Sequence, residues 1–473
     1  MAPEIHVLPA GGGGAKVAVV MVPFPAQGHL NQLLQLSRLI SSYHIPVHFV
    51  GTATHNRQAR LRVHGWNPLS ADNIHFHEFP DDGAVESPTP SKPASPARAI
   101  SAFPAHFLES FNRVSFLRNP VRNLLRALAG ENTRVIVIHD SLMGSVVQDA
   151  AVIPNAESYI FHSVSAFAIF HFIWQKAGKP FAIDDDVIGD LSPVEGCFSP
   201  EFEAFISAQY EFLKFNSGRI YNTCRVLEDP FLDLLSREDP GNKKHWALGP
   251  FNLVHASTTK RAHKCLMWLD NQPQNSVIFV SFGTSTSFPD DQIREIAAGL
   301  EQSRQRFIWV LRDSDKADIF TKENAKIELP KGYEDRVRER GLVVRDWAPQ
   351  LEVLAHPSTG GFLSHCGWNS CMESISMGVP MAAWPMHSDQ PRNTILITRF
   401  LKIGIVVKDW ARRDQIVLSS TVGEAVKKLM ASEEGRRMRA RAAEYGCALK
   451  KAAGEGGVSR MELDDFVDHV TRI

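Results

Sequence analysis

The chain lacks net charge: 51 Lys and Arg stand against 52 Asp and Glu in 473 residues, leaving −1 at pH 7. So even a balance excludes an electrostatic footprint for nucleic acid or an anionic membrane, and any phosphate binding must be local. Cysteine is scarce. Cys197, Cys224, Cys265, Cys366, Cys371 and Cys447 are scattered, with no C-x-x-C pair. That argues against a disulfide framework, and reduced thiols suit a cytoplasmic enzyme. Long apolar runs are missing too. Val17–Val22, behind the Gly11–Gly14 lead-in, is too short to span a bilayer and lacks the flanks of a secretory signal. No internal repeat is evident. No His, Cys or carboxylate cluster has metal-ligand spacing, since His365 and Cys366 are adjacent without companions. The expectation is a cytoplasmic monomer with no metal or other cofactor, no nucleic-acid partner and no membrane insertion.

What is present is alternation. Hydrophobic residues make up 44% of the chain, enough for a sizeable core, and the length suits two or three domains. Short apolar runs at Val17–Val22, Val47–Gly51, Ile74–Phe79, Arg134–His139 and Ser158–His162 alternate with helical stretches such as Asn31–Ser42 and Phe107–Ala129. The stretch from Trp246 to Thr259 reads as a last strand and a linker. A second series follows: Ser276–Phe282, Arg306–Leu311, Leu342–Arg345, Gly361–Ser364, Met381–Ala383 and Ile403–Val407, with helices at Asp290–Ser303 and Trp368–Met377. Strand-helix alternation predicts parallel sheets with helices on both faces. The expectation is two doubly wound α/β halves, residues 1–252 and 253–458. A last amphipathic helix at about 459–473, with Met461, Leu463, Phe466 and Val470, is expected to pack back on the first half. Glu86–Arg98, with four prolines, reads as a loop. Ligands of such sheets sit beyond the strands' carboxyl ends, so two facing halves would hold two substrates in one cleft.

The run Trp347–Gln390, WAPQLEVLAHPSTGGFLSHCGWNSCMESISMGVPMAAWPMHSDQ, closely resembles the signature box of the plant secondary-product UDP-glycosyltransferases. PFPAQGHLNQ at Pro23–Gln32, CLMWLDNQPQNSVIFVSFGT at Cys265–Thr284 and LPKGYEDRVRERGLVVRDWAPQ at Leu329–Gln350 extend the resemblance over nearly the whole chain. VPFPAQGHLNQLLQLS and RQARLRVHGW are most similar to the zeatin O-glucosyltransferase branch. The resemblance implies the GT-B fold, two Rossmann-like domains facing a cleft. It implies an inverting transfer of glucose from UDP-glucose to a hydroxyl of a small hydrophobic acceptor, a cytokinin or a flavonoid or other phenolic, giving a β-glucoside.

Each donor-site residue has a chemical reason to serve. Trp347 alone reads equally as a core tryptophan; in the box it is the plane on which uracil stacks, worth about 1–3 kcal/mol, beside Ala348 and Gln350. Ser364–Ser370 runs from a strand into a helix, whose N-terminus offers free N–H groups and positive potential to a diphosphate. The resemblance places His365, Trp368, Asn369 and Ser370 there, with hydroxyls from Thr284 and Ser285. Glu373, four residues after Asn369 and on the same helix face, would accept the ribose hydroxyls. Asp389 and Gln390 would read the sugar, and Trp384 would cap it. In this family a final glutamine usually accompanies glucose, although near relatives use UDP-xylose.

The acceptor hydroxyl needs a base. His29 follows a strand end and a glycine turn, and neutral imidazole is available near pH 7. Asp140, at the end of Arg134–His139, matches the family's partner aspartate and would orient it, with Asp149 as the rival. Gln32 stands where the family's usual proline follows His-x-Asn, which is expected to shift the local helix start. The acceptor pocket is expected from Phe103, Leu142, Met143, Phe161, His162 and Phe167, although the phenylalanine-rich stretch reads equally as core packing. Other classes remain open: a catalytically silent UDP-sugar-binding protein, or a sugar-nucleotide epimerase or hydrolase of the same fold.

Overall fold

The computed structural model describes residues 16–63, 66–80, 114–178, 195–239, 241–252, 263–283, 288–311 and 328–472. Phe103, Thr284, Ser285 and the proline-rich loop at 86–98 lie outside them. Two wholly parallel sheets organise the chain. The first has strands β1 (Val17–Val22), β2 (Val47–Thr52), β3 (Ile74–Phe79), β4 (Arg134–Asp140), β5 (Ala156–His162), β6 (Gly218–Tyr221) and β7 (Lys244–Ala247), in the order β3-β2-β1-β4-β5-β6-β7. The second has β8 (Val277–Ser281), β9 (Arg306–Val310), β10 (Gly341–Val344), β11 (Thr359–Ser364), β12 (Met381–Ala383) and β13 (Gly404–Val406), in the order β10-β9-β8-β11-β12-β13. Central strands such as VAVVMV are buried at every position, as sheets covered on both faces require.

Strand β6 was not among the expected strands. Its four residues, Gly-Arg-Ile-Tyr, are too few to show alternation. Gly218 opens it because any Cβ would come within 2.5 Å of the Trp246 ring.

The strand order reverses once in each sheet, between β1 and β4 and between β8 and β11. Loops leaving such a pair diverge and open a crevice. His29 follows β1 and Asp140 ends β4; Gly283 follows β8 and His365 follows β11. One apolar cluster joins the halves, with Phe167, Tyr221 and Phe231 from the first and Phe279, Trp368 and Ile375 from the second.

The last helix, Val458–Thr471, returns to the first half. Phe466 meets Trp246 and Tyr159 edge-on, at 5.1 and 5.5 Å between ring centroids. Trp246 Nε1 donates to Asp465 at 2.7 Å and Ser459 Oγ to the Gly249 carbonyl at 2.6 Å. Leu463, Phe466, Val467 and Val470 enter the core, whereas Met461 is exposed. No described helix is long and apolar enough to cross a membrane.

Candidate active site

A cavity of about 340 Å³ opens where the two crevices meet. Its first wall is the helix Gln27–Ser41, which begins four residues before the expected Asn31. Ala26 is extended and its carbonyl accepts the N–H groups of His29 and Leu30, both at 2.9 Å. His29 therefore sits in the first helical turn. Its Nδ1 is 2.7 Å from Asp140 Oδ2, and its side chain keeps 22% exposure to the cavity while Asp140 keeps none. Asp140 Oδ1 accepts the Leu142 N–H at 3.0 Å, which locks the carboxylate. Burial alone would lower the His29 pKa, but the carboxylates of Asp140 and, further off, Asp389 raise it above the ordinary value. With Nδ1 donating to Asp140, Nε2 keeps the lone pair. Ser163 Oγ also reaches Nδ1, at 2.8 Å, a partner the sequence reading missed.

The rival Asp149 is excluded. It lies in a tight turn, Gln148–Val152, and pairs with Arg118 at 2.8 Å. His139 is structural: buried, pushed down to about 4 by desolvation, and bonded to the Asp140 carbonyl at 2.9 Å. Gln32 uses the amide a proline would lack. It donates to the carbonyls of Ser163 at 2.7 Å and Gly28 at 3.2 Å, and accepts from Asn222 at 3.0 Å.

The facing wall comes from the second half. Gly367 leads into the helix Trp368–Ser376, which follows β11, and Gly367, Trp368, Asn369 and Ser370 line the cavity. His365 lies between Gly283 and Gly367; a Cβ on either would come within 2.6 or 2.5 Å of its Nε2. Burial pushes His365 down to about 4, so it is neutral, and its Nδ1 has no hydrogen-bond partner. Asn369 Nδ2 donates to the Gly28 carbonyl at 2.8 Å, and Trp368 Nε1 to the Asn222 carbonyl at 2.8 Å. Both bonds cross between the halves. Gln350 bridges Ser370 at 3.0 Å and Glu373 at 2.7 Å. Glu373 is pushed up to about 7, chiefly by burial.

Trp347 lies on the rim beside Ala348, 36% exposed, with the Arg62 guanidinium 5.4 Å over its ring. Gln390 Oε1 accepts the N–H groups of Met386 and His387 at 2.8 and 3.1 Å, which leaves its NH₂ as the donor. Asp389 is raised by burial, opposed by the Asn393 amide at 2.6 Å. Asn393 also bonds the Cys366 carbonyl at 2.9 Å and accepts from Ser165 of the first half at 2.8 Å.

Several expected residues do not reach the cavity. Trp384 is buried in the second half's core against Phe282 and Phe288. Among the described residues expected for the acceptor, only Leu142 lines the space. Met143 points into the core, Phe161 stacks on Phe251, and Phe167 packs against Phe231 and Phe400. His162, its pKa lowered by burial, stacks on Tyr221 at 4.8 Å. The aromatic wall is instead Phe24, Phe172, Phe198, Phe202 and Tyr210, with Ile206. Three of those aromatics, Phe198, Phe202 and Tyr210, belong to or flank the helix Pro200–Tyr210. Its start was legible: Ser199 caps it and Pro200 occupies the first turn.

Residues 15–253 match the family described as Glycosyltransferase, N-terminal domain, and residues 252–433 match UDP-glucoronosyl and UDP-glucosyl transferase. The chain is 53% identical to Zeatin O-glucosyltransferase of Phaseolus lunatus, over 97% of both chains. It is 50% identical to Zeatin O-xylosyltransferase of Phaseolus vulgaris, over 97% of this chain and 98% of that one. UGT2 of Phytolacca americana, solved with UDP-2fluoro-glucose and pterostilbene, superposes with a TM-score of 0.76 at 26% identity, over 97% of this chain and all of that one.

Proposed function

The chain belongs to the UDP-glucoronosyl and UDP-glucosyl transferase family, and from that premise we propose that it moves glucose from UDP-glucose onto a hydroxyl of a cytokinin such as zeatin, giving a β-glucoside. The observation that carries this reading is the His29–Asp140 pair, 2.7 Å apart, on the opposite wall from Trp347, Glu373 and Gln390. A silent UDP-sugar-binding protein has no use for an oriented base.

His29 Nε2 takes the acceptor proton as the hydroxyl oxygen attacks the anomeric carbon, and Asp140 stabilises the imidazolium. The anomeric bond to UDP breaks on the opposite face, so α becomes β. Charge gathering on the departing diphosphate meets the N-terminus of Trp368–Ser376 with Asn369 and Ser370, and the buried neutral His365. Glu373 accepts the ribose hydroxyls, and Trp347 carries uracil once Arg62 yields its place.

The zeatin-named relatives support the acceptor. UDP-xylose is the second donor reading, because one of those relatives is named a xylosyltransferase. Zeatin and a panel of phenolics, each offered with UDP-glucose or UDP-xylose and read by mass, separate these cases. His29→Ala should lower turnover at least ~100-fold with little change in UDP affinity; near-normal turnover would remove His29 as the base.

A further inference from the structure

Two cations line the cavity among the described residues, Arg62 and Arg392, and only Arg392 is buried, 5% exposed. It stands two residues after Gln390 in the helix Gln390–Ile395. Its side chain lies against the aromatic wall of the first half. The guanidinium is 5.6 Å over the Phe172 ring, and Nη2 donates to Gln175 Oε1 at 3.0 Å. Nε has no hydrogen-bond partner. No ion pair within 4.0 Å involves Arg392 among the described residues; the Cys197 thiol is a side-chain hydrogen-bonding partner of the guanidinium, and Asp389 and Glu203 act on it from further off.

A guanidinium carries five N–H donors in a rigid plane. Burying it without a carboxylate is costly. The phenylalanines and isoleucines of the wall bind flat rings but carry no hydrogen-bond acceptor for a planar donor, and Tyr210 brings one hydroxyl. Nearby carboxylates disfavour an anion and leave the donors for a neutral acceptor atom.

We propose that Arg392 is a specificity-determining residue of the acceptor site, donating to a ring nitrogen of a planar nitrogen-heteroaromatic acceptor. This rests on the transferase reading and adds that the donor half helps to choose the acceptor. A carbocyclic ring of the same shape leaves the guanidinium desolvated and unsatisfied, which discriminates against it.

A hydroxyquinoline and the matching naphthol differ by one ring nitrogen and test this directly. Their affinities are measured on the UDP-loaded protein, and kcat/KM with UDP-glucose. The wild type should prefer the hydroxyquinoline by ~10-fold or more. Arg392→Met should bring the two within ~2-fold, with UDP affinity and Tm held. Arg392→Lys keeps the charge without the planar fork and should fall between. An equal ratio in wild type and Arg392→Met, or an equal loss for both ligands, would overturn the assignment. If zeatin is not glycosylated while the ring-nitrogen preference vanishes in Arg392→Met, the cytokinin reading fails and the arginine assignment stands.

Discussion

Glu373 shows what burial does to one residue of the site. Desolvation pushes its carboxyl up to about 7, although the Gln350 amide favours the ionised form. Only the carboxylate can accept both ribose hydroxyls. Affinity for a nucleoside should therefore strengthen as pH rises through about 7 and weaken below it. Uridine is the suitable probe because it carries no phosphate. Its Kd should be roughly 5–10-fold higher at pH 6 than at pH 8, and Glu373→Gln should flatten that dependence. At this scale the sequence was legible where chemistry dictates the residue: the described donor-site candidates of the box other than Trp384 line the cavity, together with His29. It was not legible where only side-chain direction decides. Phe161, Phe167, Met143 and Trp384 are apolar and close in sequence to lining residues, yet each faces a core. In a sheet or helix buried on all sides, hydrophobicity carries no sign of which face borders the cavity.

The helix Ala166–Lys176 carries Ala168, Ile169 and Phe172 to the cavity, and its start is held by an unusual cap. Ser165 accepts the Ala168 N–H at 3.0 Å, while buried Glu228 accepts the N–H groups of Ala166 at 3.1 Å and Phe167 at 2.8 Å and the Thr223 hydroxyl at 2.6 Å. Glu228→Ala leaves those donors unsatisfied in the core and should cost ~2–4 kcal/mol. The check is a lowered Tm together with a raised acceptor KM, since the helix end positions Phe172. Element limits were mostly readable from composition, but this cap was not, because its partners lie more than sixty positions apart. The early start of the His29 helix escaped for a local reason: Ala26 caps it without a side-chain bond, so no Ser, Thr, Asp or Asn announced it.

The whole molecule is two crevices closed on each other by a few directional bonds: Trp368 to Asn222, Asn369 to Gly28, and Ser165 to Asn393. The doubly wound halves were legible because strand-helix alternation restarts after the linker. Their mutual placement was not, because each of these bonds joins residues distant in the chain. The last helix was legible as a helix from its apolar periodicity, although Met461 faces solvent; the surface it docks on was not. Phe466 fills the first half's core against Trp246 and Tyr159. Phe466→Ala should cost ~3–5 kcal/mol, seen in thermal unfolding as earlier melting of the first half.

That helix also changes what counts as a module. The chain leaves the first half near Phe251 and comes back to it at Ser459, whose hydroxyl grips the Gly249 carbonyl. A chimaera assembled from two relatives with a single junction would seat one parent's final helix on the other parent's core, pairing Trp246 with a mismatched face. Exchange of the second half needs two junctions, the second ahead of Val458, so that the last fourteen helical residues travel with the first half they complete.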